Sequence, residues 1–120
     1  MSYLSKIARL IINTIKPPKV MNYKNLKPDM FKKSMSEQKN VVLLDVRTPA
    51  EVAQGIIEGA VSIDFFAKDF QEKISALDKD ANYFVYCRSG NRSGQACQIM
   101  DQLGFKSLVN LEGGISDWKA

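Results

Sequence analysis

The stretch Cys87-Arg88-Ser89-Gly90-Asn91-Arg92-Ser93 carries the chain's clearest chemistry, a thiol heading a short polar loop with two arginines. A cysteine acts as a nucleophile through its thiolate, and a free thiol with a pKa of about 8.5 supplies only a few per cent of that form at neutral pH. A helix N-terminus and nearby guanidinium groups lower the value by about one to several units, each unit being roughly 1.4 kcal/mol. Arg88 and Arg92 supply the charge, Gly90 allows the positive φ that a tight curl requires, and Asn91 tolerates left-handed backbone better than most residues. A loop of this composition closes into a cradle of backbone amides around the sulfur. Apolar burial of a structural cysteine would not surround it with Arg, Ser, Gly, Asn, Arg and Ser.

Two elements must position that loop. Tyr83 to Tyr86 is a β-branched and aromatic run of strand type, and Gly94 to Leu103 carries a helical stripe of Ala96, Ile99, Met100 and Leu103. Cys87 therefore ends a strand, and the residues after it lead into a helix N-terminus, where anions and thiolates are favoured. The chain contains no histidine, which excludes Ser-His-Asp and Cys-His mechanisms and leaves Cys, Arg, Ser and carboxylates. No metal site and no cofactor are expected. Two cysteines ten residues apart do not form a CxxC clip or a disulfide framework, and Cys97 reads as a small buried hydrophobe rather than a resolving thiol. A reducing, cytoplasmic compartment suits this usage.

The loop Cys87 to Ser93 resembles the active-site loop of single-domain rhodaneses, the thiosulfate sulfurtransferase family. Leu43-Leu44-Asp45-Val46-Arg47-Thr48-Pro49-Ala50-Glu51 with Gly55-Ile56-Ile57-Glu58-Gly59-Ala60 is similar to the family's Asp-Val-Arg and Gly-His-Ile-Pro-Gly-Ala signatures, and Leu111-Glu112-Gly113-Gly114-Ile115-Ser116-Asp117-Trp118 to its Gly-Gly…Trp signature. Ile56 and Glu58 depart from the pattern by replacing its His and Pro. The resemblance covers about residues 22–120. It implies an α/β, three-layer fold with a mostly parallel five-stranded sheet flanked by helices. It also implies a Cys87 thiolate that takes the outer sulfur of thiosulfate or a similar donor as a persulfide and passes it to a thiophilic acceptor. Cyanide, a small thiol, a thioredoxin-like protein or a biosynthetic protein are acceptors of that kind. Arg88 and Arg92 would bind the small anionic donor, and the amides of Arg88, Ser89, Gly90, Asn91, Arg92 and Ser93 would hold the persulfide.

Two other classes compete. Cysteine-dependent phosphatases and arsenate reductases also use a Cys-to-Arg loop at a helix N-terminus, but four residues separate Cys87 from Arg92 where those enzymes carry five. A non-catalytic rhodanese-like binding module is the other, and the presence of Cys87 argues against it.

The whole chain, 120 residues, 45% hydrophobic and 25% charged, fits one domain. Its net charge of +4 is moderate and not laid out as an Arg/aromatic ladder, so no nucleic-acid partner is expected. Leu4, Ile7, Ala8, Ile11 and Ile15 mark an amphipathic helix over residues 1–16, and Pro17-Pro18 ends it; residues 1–19 are thus a helix and linker preceding a domain over 20–120. Packing on the domain surface, contact with a membrane surface and self-association are its three open uses. Pro28 starts a helix that buries Met30, Phe31 and Met35. Val41 to Val46 reads as a buried parallel strand, and Ala60 to Ile63 as a short one. Thr48, Pro49 and Glu51 form a capping box, which makes Thr48 and Glu51 structural. Arg47 is expected to pair with Glu51 or another carboxylate, and Asp45 to support the cysteine loop by accepting from its amides. Asp69 caps a helix carrying Phe70, Ile74 and Leu77, Gly104 ends the helix after the loop, Ser107 to Leu111 is the last strand, and Trp118 is a packing anchor.

Overall fold

A computed structural model of the chain describes residues 23–119. The expected helix over residues 1–16 and its linker lie outside the described residues. Five strands form one sheet in the order β1-β5-β4-β2-β3: β1 (Tyr23–Leu26), β2 (Val41–Asp45), β3 (Val61–Ser62), β4 (Asn82–Tyr86) and β5 (Ser107–Leu111). Every pairing is parallel, from Tyr23 opposite Leu108 through Val85 opposite Asn110 to Leu44 opposite Val61. The helices are α1 (Pro28–Glu37), α2 (Pro49–Val52), α3 (Phe70–Ser75) and α4 (Asn91–Gln102), followed by a 3-10 turn at Ile115–Asp117. No helix among the described residues is long and apolar enough to cross a membrane.

Parallel strands covered on both sides read as continuous apolar runs, and the period of two sorts them between two cores. Tyr83 and Val85 face one side with Leu44, Val46, Phe70, Ile74, Ala96, Cys97 and Met100, under α3 and α4. Phe84 and Tyr86 face the other with Leu43, Phe31, Val109 and Leu111, under α1 and the chain's end. Phe31 anchors the second core, with its ring edge-on to Phe84 at 5.3 Å and to Trp118 at 5.8 Å.

Two local readings change, and one strand was not anticipated. Met30 is exposed rather than buried, because Phe31 and Met35 define the inward stripe of α1 and Met30 lies about 100° around the helix from Phe31. Asp69 occupies the N-cap position of α3 without a side-chain cap, since its φ of -96° and ψ of 15° depart from the extended cap geometry; it pairs instead with Lys73 at 3.5 Å. Asn82 opens β4, one residue before the apolar run that marks the strand. Strand β1, with only Tyr23 and Leu26 half-buried, pairs at one edge and lacked the apolar run that marks its neighbours. The Gly104 reading corresponds to a Schellman ending: at φ +94° its amide donates to Asp101 O and that of Phe105 to Met100 O.

The sheet order fixes the site. From β2 the chain moves to β3 on one side, and from β4 it moves to β5 on the other. The gap between the C-terminal ends of β2 and β4 is therefore a topological switch point, where connections diverge and leave a crevice. Cys87 leaves β4 there, and Arg47 to Glu51 leave β2 beside it.

Candidate active site

The cysteine loop is the shortest path from β4 to α4, and Gly90 makes the corner. Gly90 sits at the N-cap of α4 with φ +99°, so the left-handed residue is Gly90 alone, whereas Asn91 is already helical and turns its side chain to accept from Gln95 at 3.0 Å. A side chain at Gly90 would also crowd Gly113 N and Leu111 O at 3.3 Å. The Cys87 sulfur lies inside this corner, and the residue is 1% exposed. The Gly90 amide donates to Sγ at 3.1 Å and the Ser93 hydroxyl at 3.2 Å.

Burial pushes the Cys87 thiol up, but the Ser93 hydroxyl and the amides of Ser93, Ser89 and Gly90 outweigh it and hold the thiol below its ordinary value. These donors favour the charged form because each aims a partial positive charge at the sulfur. Cys97, buried on α4 without such donors, is pushed up to about 12 by burial, with the Cys87 charge adding to the rise. Both cysteines are free.

What turns the amides inward is the way the carbonyls are tied outward. Cys87 O accepts from Ile115 N at 2.9 Å, and Arg88 O accepts from Ser116 N at 3.1 Å and from the Ser116 hydroxyl. Gly90 O accepts from Asn110 Nδ2 at 3.1 Å, and that amide group also donates to Asn25 Oδ1 at 2.8 Å. With its carbonyls engaged by β5 and the 3-10 turn, the loop presents N–H groups to the sulfur. The close approach requires Gly114: a Cβ there would lie 2.3 Å from Arg88 C and O. Asn25, Asn110 and Ser116 were not singled out in the sequence. The Gly113-Gly114 pair was the available signal, since paired glycines mark close backbone approach.

The basic and acidic residues sort themselves differently from expectation. Asp45 does not reach the amides of the cysteine loop: it is fully buried and accepts from Arg47 N at 2.9 Å and from the Arg47 guanidinium at 2.7 to 3.1 Å. Two residues apart at a strand end, the pair closes on itself, and Arg47 uses its remaining donors on the carbonyls of Glu51 and Gly55. The carboxylate that Arg47 pairs with is thus Asp45, whose hydrogen bond holds the guanidinium pKa above its ordinary value against the pull of burial.

Glu51 has two jobs. Its side chain closes the capping box with Thr48, and it also accepts from Arg92 in a bidentate pair at 2.6 and 2.8 Å. The Arg92 hydrogen bonds, opposed by burial and helped by Thr48, hold the Glu51 carboxyl down at about 2. Arg92 therefore meets Glu51 across the crevice, and its guanidinium also lies 5.7 Å from the exposed ring of Phe66. Arg88 makes no ion pair among the described residues and is exposed beside the crevice. Arg47, Glu51, Gln54, Arg88, Ile115 and Ser116 line a cavity of about 520 Å³ at this mouth.

The two departures from the family pattern fall on the surface. Ile56 and Glu58 are exposed, while Ile57 between them is buried and its amide donates to the Tyr86 hydroxyl at 3.0 Å. The turn is thus anchored through Ile57 and Gly55 rather than through the replaced positions.

This arrangement holds one sulfur anion on directed donors, and the neighbouring residues Arg88 and Ile115 line a cavity edged by arginine. Residues 27–120 match the family model of the rhodanese-like domain. The chain is 40% identical over 99 residues, 82% of its own length and 93% of the relative's, to "Putative sulfurtransferase YtwF" of Bacillus subtilis (strain 168). Over 84 residues, 70% of this chain and 77% of the relative, it is 40% identical to "Sulfurtransferase" of Allochromatium vinosum. Among solved structures it is similar to a rhodanese-like domain protein from Staphylococcus aureus, with a TM-score of 0.69 and 30% identity, covering 80% of this chain and 91% of that one.

Proposed function

The chain belongs to the rhodanese-like domain family, and from that premise we propose that it is a sulfurtransferase working through a persulfide on Cys87. The observation that carries the reading is the buried Cys87 sulfur held by the Gly90 amide and the Ser93 hydroxyl. In the first step the Cys87 thiolate attacks the outer, sulfane sulfur of thiosulfate or a similar donor. The S–S bond of the donor breaks, its bonding pair leaves with sulfite, and Cys87 carries a terminal persulfide anion. In the second step a thiophilic acceptor, such as a thiol, cyanide or a protein thiolate, attacks that terminal sulfur and regenerates the Cys87 thiolate. No general base is required, because the attacking form is the thiolate, which the loop donors favour, and the leaving groups depart as anions.

The amides that stabilise the thiolate also suit the persulfide and the charge that spreads over the sulfurs during transfer. Their fixed orientation supports this role, since carbonyls engaged by Ile115, Ser116 and Asn110 leave little reorganisation for the reaction to drive. Arg88, exposed and without an ion pair among the described residues, is the residue we assign to first contact with an anionic donor. Asp45 and Arg47 serve as a buried brace at the end of β2.

The test is the intact mass of the reduced protein after incubation with thiosulfate, beside Cys87→Ser and Cys97→Ser. A gain of one sulfur that reductant removes, lost in Cys87→Ser and kept in Cys97→Ser, is the expected result. A folded wild-type protein that gains no sulfur would overturn the thiosulfate reaction and turn attention to arsenate, phosphate esters and partner binding.

A further inference from the structure

The charges around the mouth are more nearly balanced than the arginine content suggests. Arg47 is closed on Asp45 at 2.7 Å, and Arg92 is closed on Glu51 by two contacts at 2.6 and 2.8 Å. Three guanidinium groups and two carboxylates leave one unbalanced positive charge, that of Arg88, and the Cys87 thiolate balances it. Counted with the thiolate, the mouth is near neutral and draws neither donor by net charge. A free Arg92 charge would act on both charges of a dianionic donor and on only one of a singly charged donor, so its pairing with Glu51 costs the dianion more. Both Glu51 and Arg92 are sheltered, at 24% and 18% side-chain exposure, so solvent screens the pair less than it would a surface pair.

We propose that Glu51 is a specificity-determining residue which, by occupying Arg92, turns the site from dianionic thiosulfate toward singly charged sulfane-sulfur donors such as thiosulfonates and low-molecular-weight persulfides. The inference rests on the sulfur-transfer reading and deepens it to a donor class. The same residue closes the α2 capping box, so one carboxylate fixes the position of the β2 connection and sets the charge offered by the cysteine loop. Glu51 acts through Arg92, without touching the reacting sulfur.

Thiosulfate and methanethiosulfonate are the probes, since they differ by one charge where a methyl group replaces an oxygen anion. In either reaction the Cys87 thiolate bonds to the outer sulfur, the S–S bond breaks, and the electron pair leaves with sulfite or with methanesulfinate. The quantity to compare is the ratio of kcat/KM for thiosulfate over that for methanethiosulfonate, so that the intrinsic difference between leaving groups cancels between variants. Glu51→Gln frees the Arg92 charge and is expected to raise this ratio about tenfold, equivalent to about 1.4 kcal/mol. It should also make the thiosulfate rate fall more steeply with salt. Arg92→Gln leaves Glu51 unbalanced and is expected to lower the ratio by a similar factor. Each variant carries its own sign, so either alone decides the matter if the other fails to fold by circular dichroism.

A ratio unchanged within about twofold, or an equal loss with both donors, would show that Glu51 only braces the loop and would overturn the inference. Those outcomes leave the sulfur-transfer reading standing, because the wild-type chain still loads Cys87 from both donors. Absence of any Cys87 adduct from either donor in the wild-type chain overturns instead the sulfur-transfer reading, and this inference with it.

Discussion

At the scale of single residues, the two cysteines show how much local donors decide. Cys87 and Cys97 are both buried, yet one is held below its ordinary pKa and the other pushed up to about 12. The difference is the presence of directed N–H and O–H groups at one sulfur. Removing the Ser93 hydroxyl therefore has a definite sign. A hydrogen bond to a charged group contributes about 1.5–3 kcal/mol, so Ser93→Ala should raise the Cys87 midpoint by about one to two pH units. The pH dependence of Cys87 alkylation measures this, and the sulfur-loading rate should follow the same displaced curve. Glu51 gives a second prediction with the opposite experimental axis. Its carboxyl is held at about 2 in the folded protein, below its ordinary unfolded value, first by Arg92. Its contribution to stability is thus present above the unfolded value and is lost as pH falls through the folded one. Urea midpoints from about pH 5 down to about pH 2 should fall more steeply for wild type than for Glu51→Gln.

At the scale of elements, the site is a junction of three chain segments. The β4–α4 loop supplies the sulfur and the donors, the β2–α2 connection supplies Glu51, and the β5 end with the 3-10 turn holds the loop carbonyls. Gly114, at φ +65°, is where the third segment comes closest to the first. An alanine there would place Cβ 2.5 Å from Ser89 N as well as against Arg88, so the loop must move. Gly114→Ala is expected to destabilise the fold by about 1–3 kcal/mol through the strained φ. It should also slow sulfur loading by roughly a hundredfold through misplaced donors. Thermal melts and loading rates check the two effects separately, and the Cys87 alkylation midpoint should move up with the second. A site dependent only on Gly90 would keep its alkylation midpoint in this variant.

At the scale of the molecule, a parallel sheet with a switch point between β2 and β4 brings residues 41 positions apart into a bidentate pair. Among the described residues, the side chains that form the cradle and its mouth lie between Asn25 and Ser116. Deleting residues 1–18 is therefore expected to leave the rate of Cys87 loading within about twofold of the full chain, a loss smaller than about 0.4 kcal/mol. Vesicle co-sedimentation and sedimentation velocity on the two forms then report whether that segment serves membrane contact or self-association. A large loss of loading would instead place residues 1–18 among the supports of the site.

The sequence alone determined the parts of this protein that are written locally. The apolar runs of β2, β4 and β5, the Thr48 capping box, the Gly104 helix ending and the cysteine at a strand end all depend on neighbours within a few residues, so spacing and residue type were sufficient. Strand β1 was missed because a short edge strand with exposed Lys24 and Asn25 carries no apolar signature. The partners of charged side chains were legible only as alternatives: Arg47 was open to several carboxylates, and Glu51 had a local explanation in the cap that hid its contact with Arg92. Only the tertiary structure decided these, because an ion pair depends on which strand ends the sheet order places side by side. The same reason governs Asn110 and Ser116, polar residues that become supports of the cysteine loop only once β5 lies next to β4.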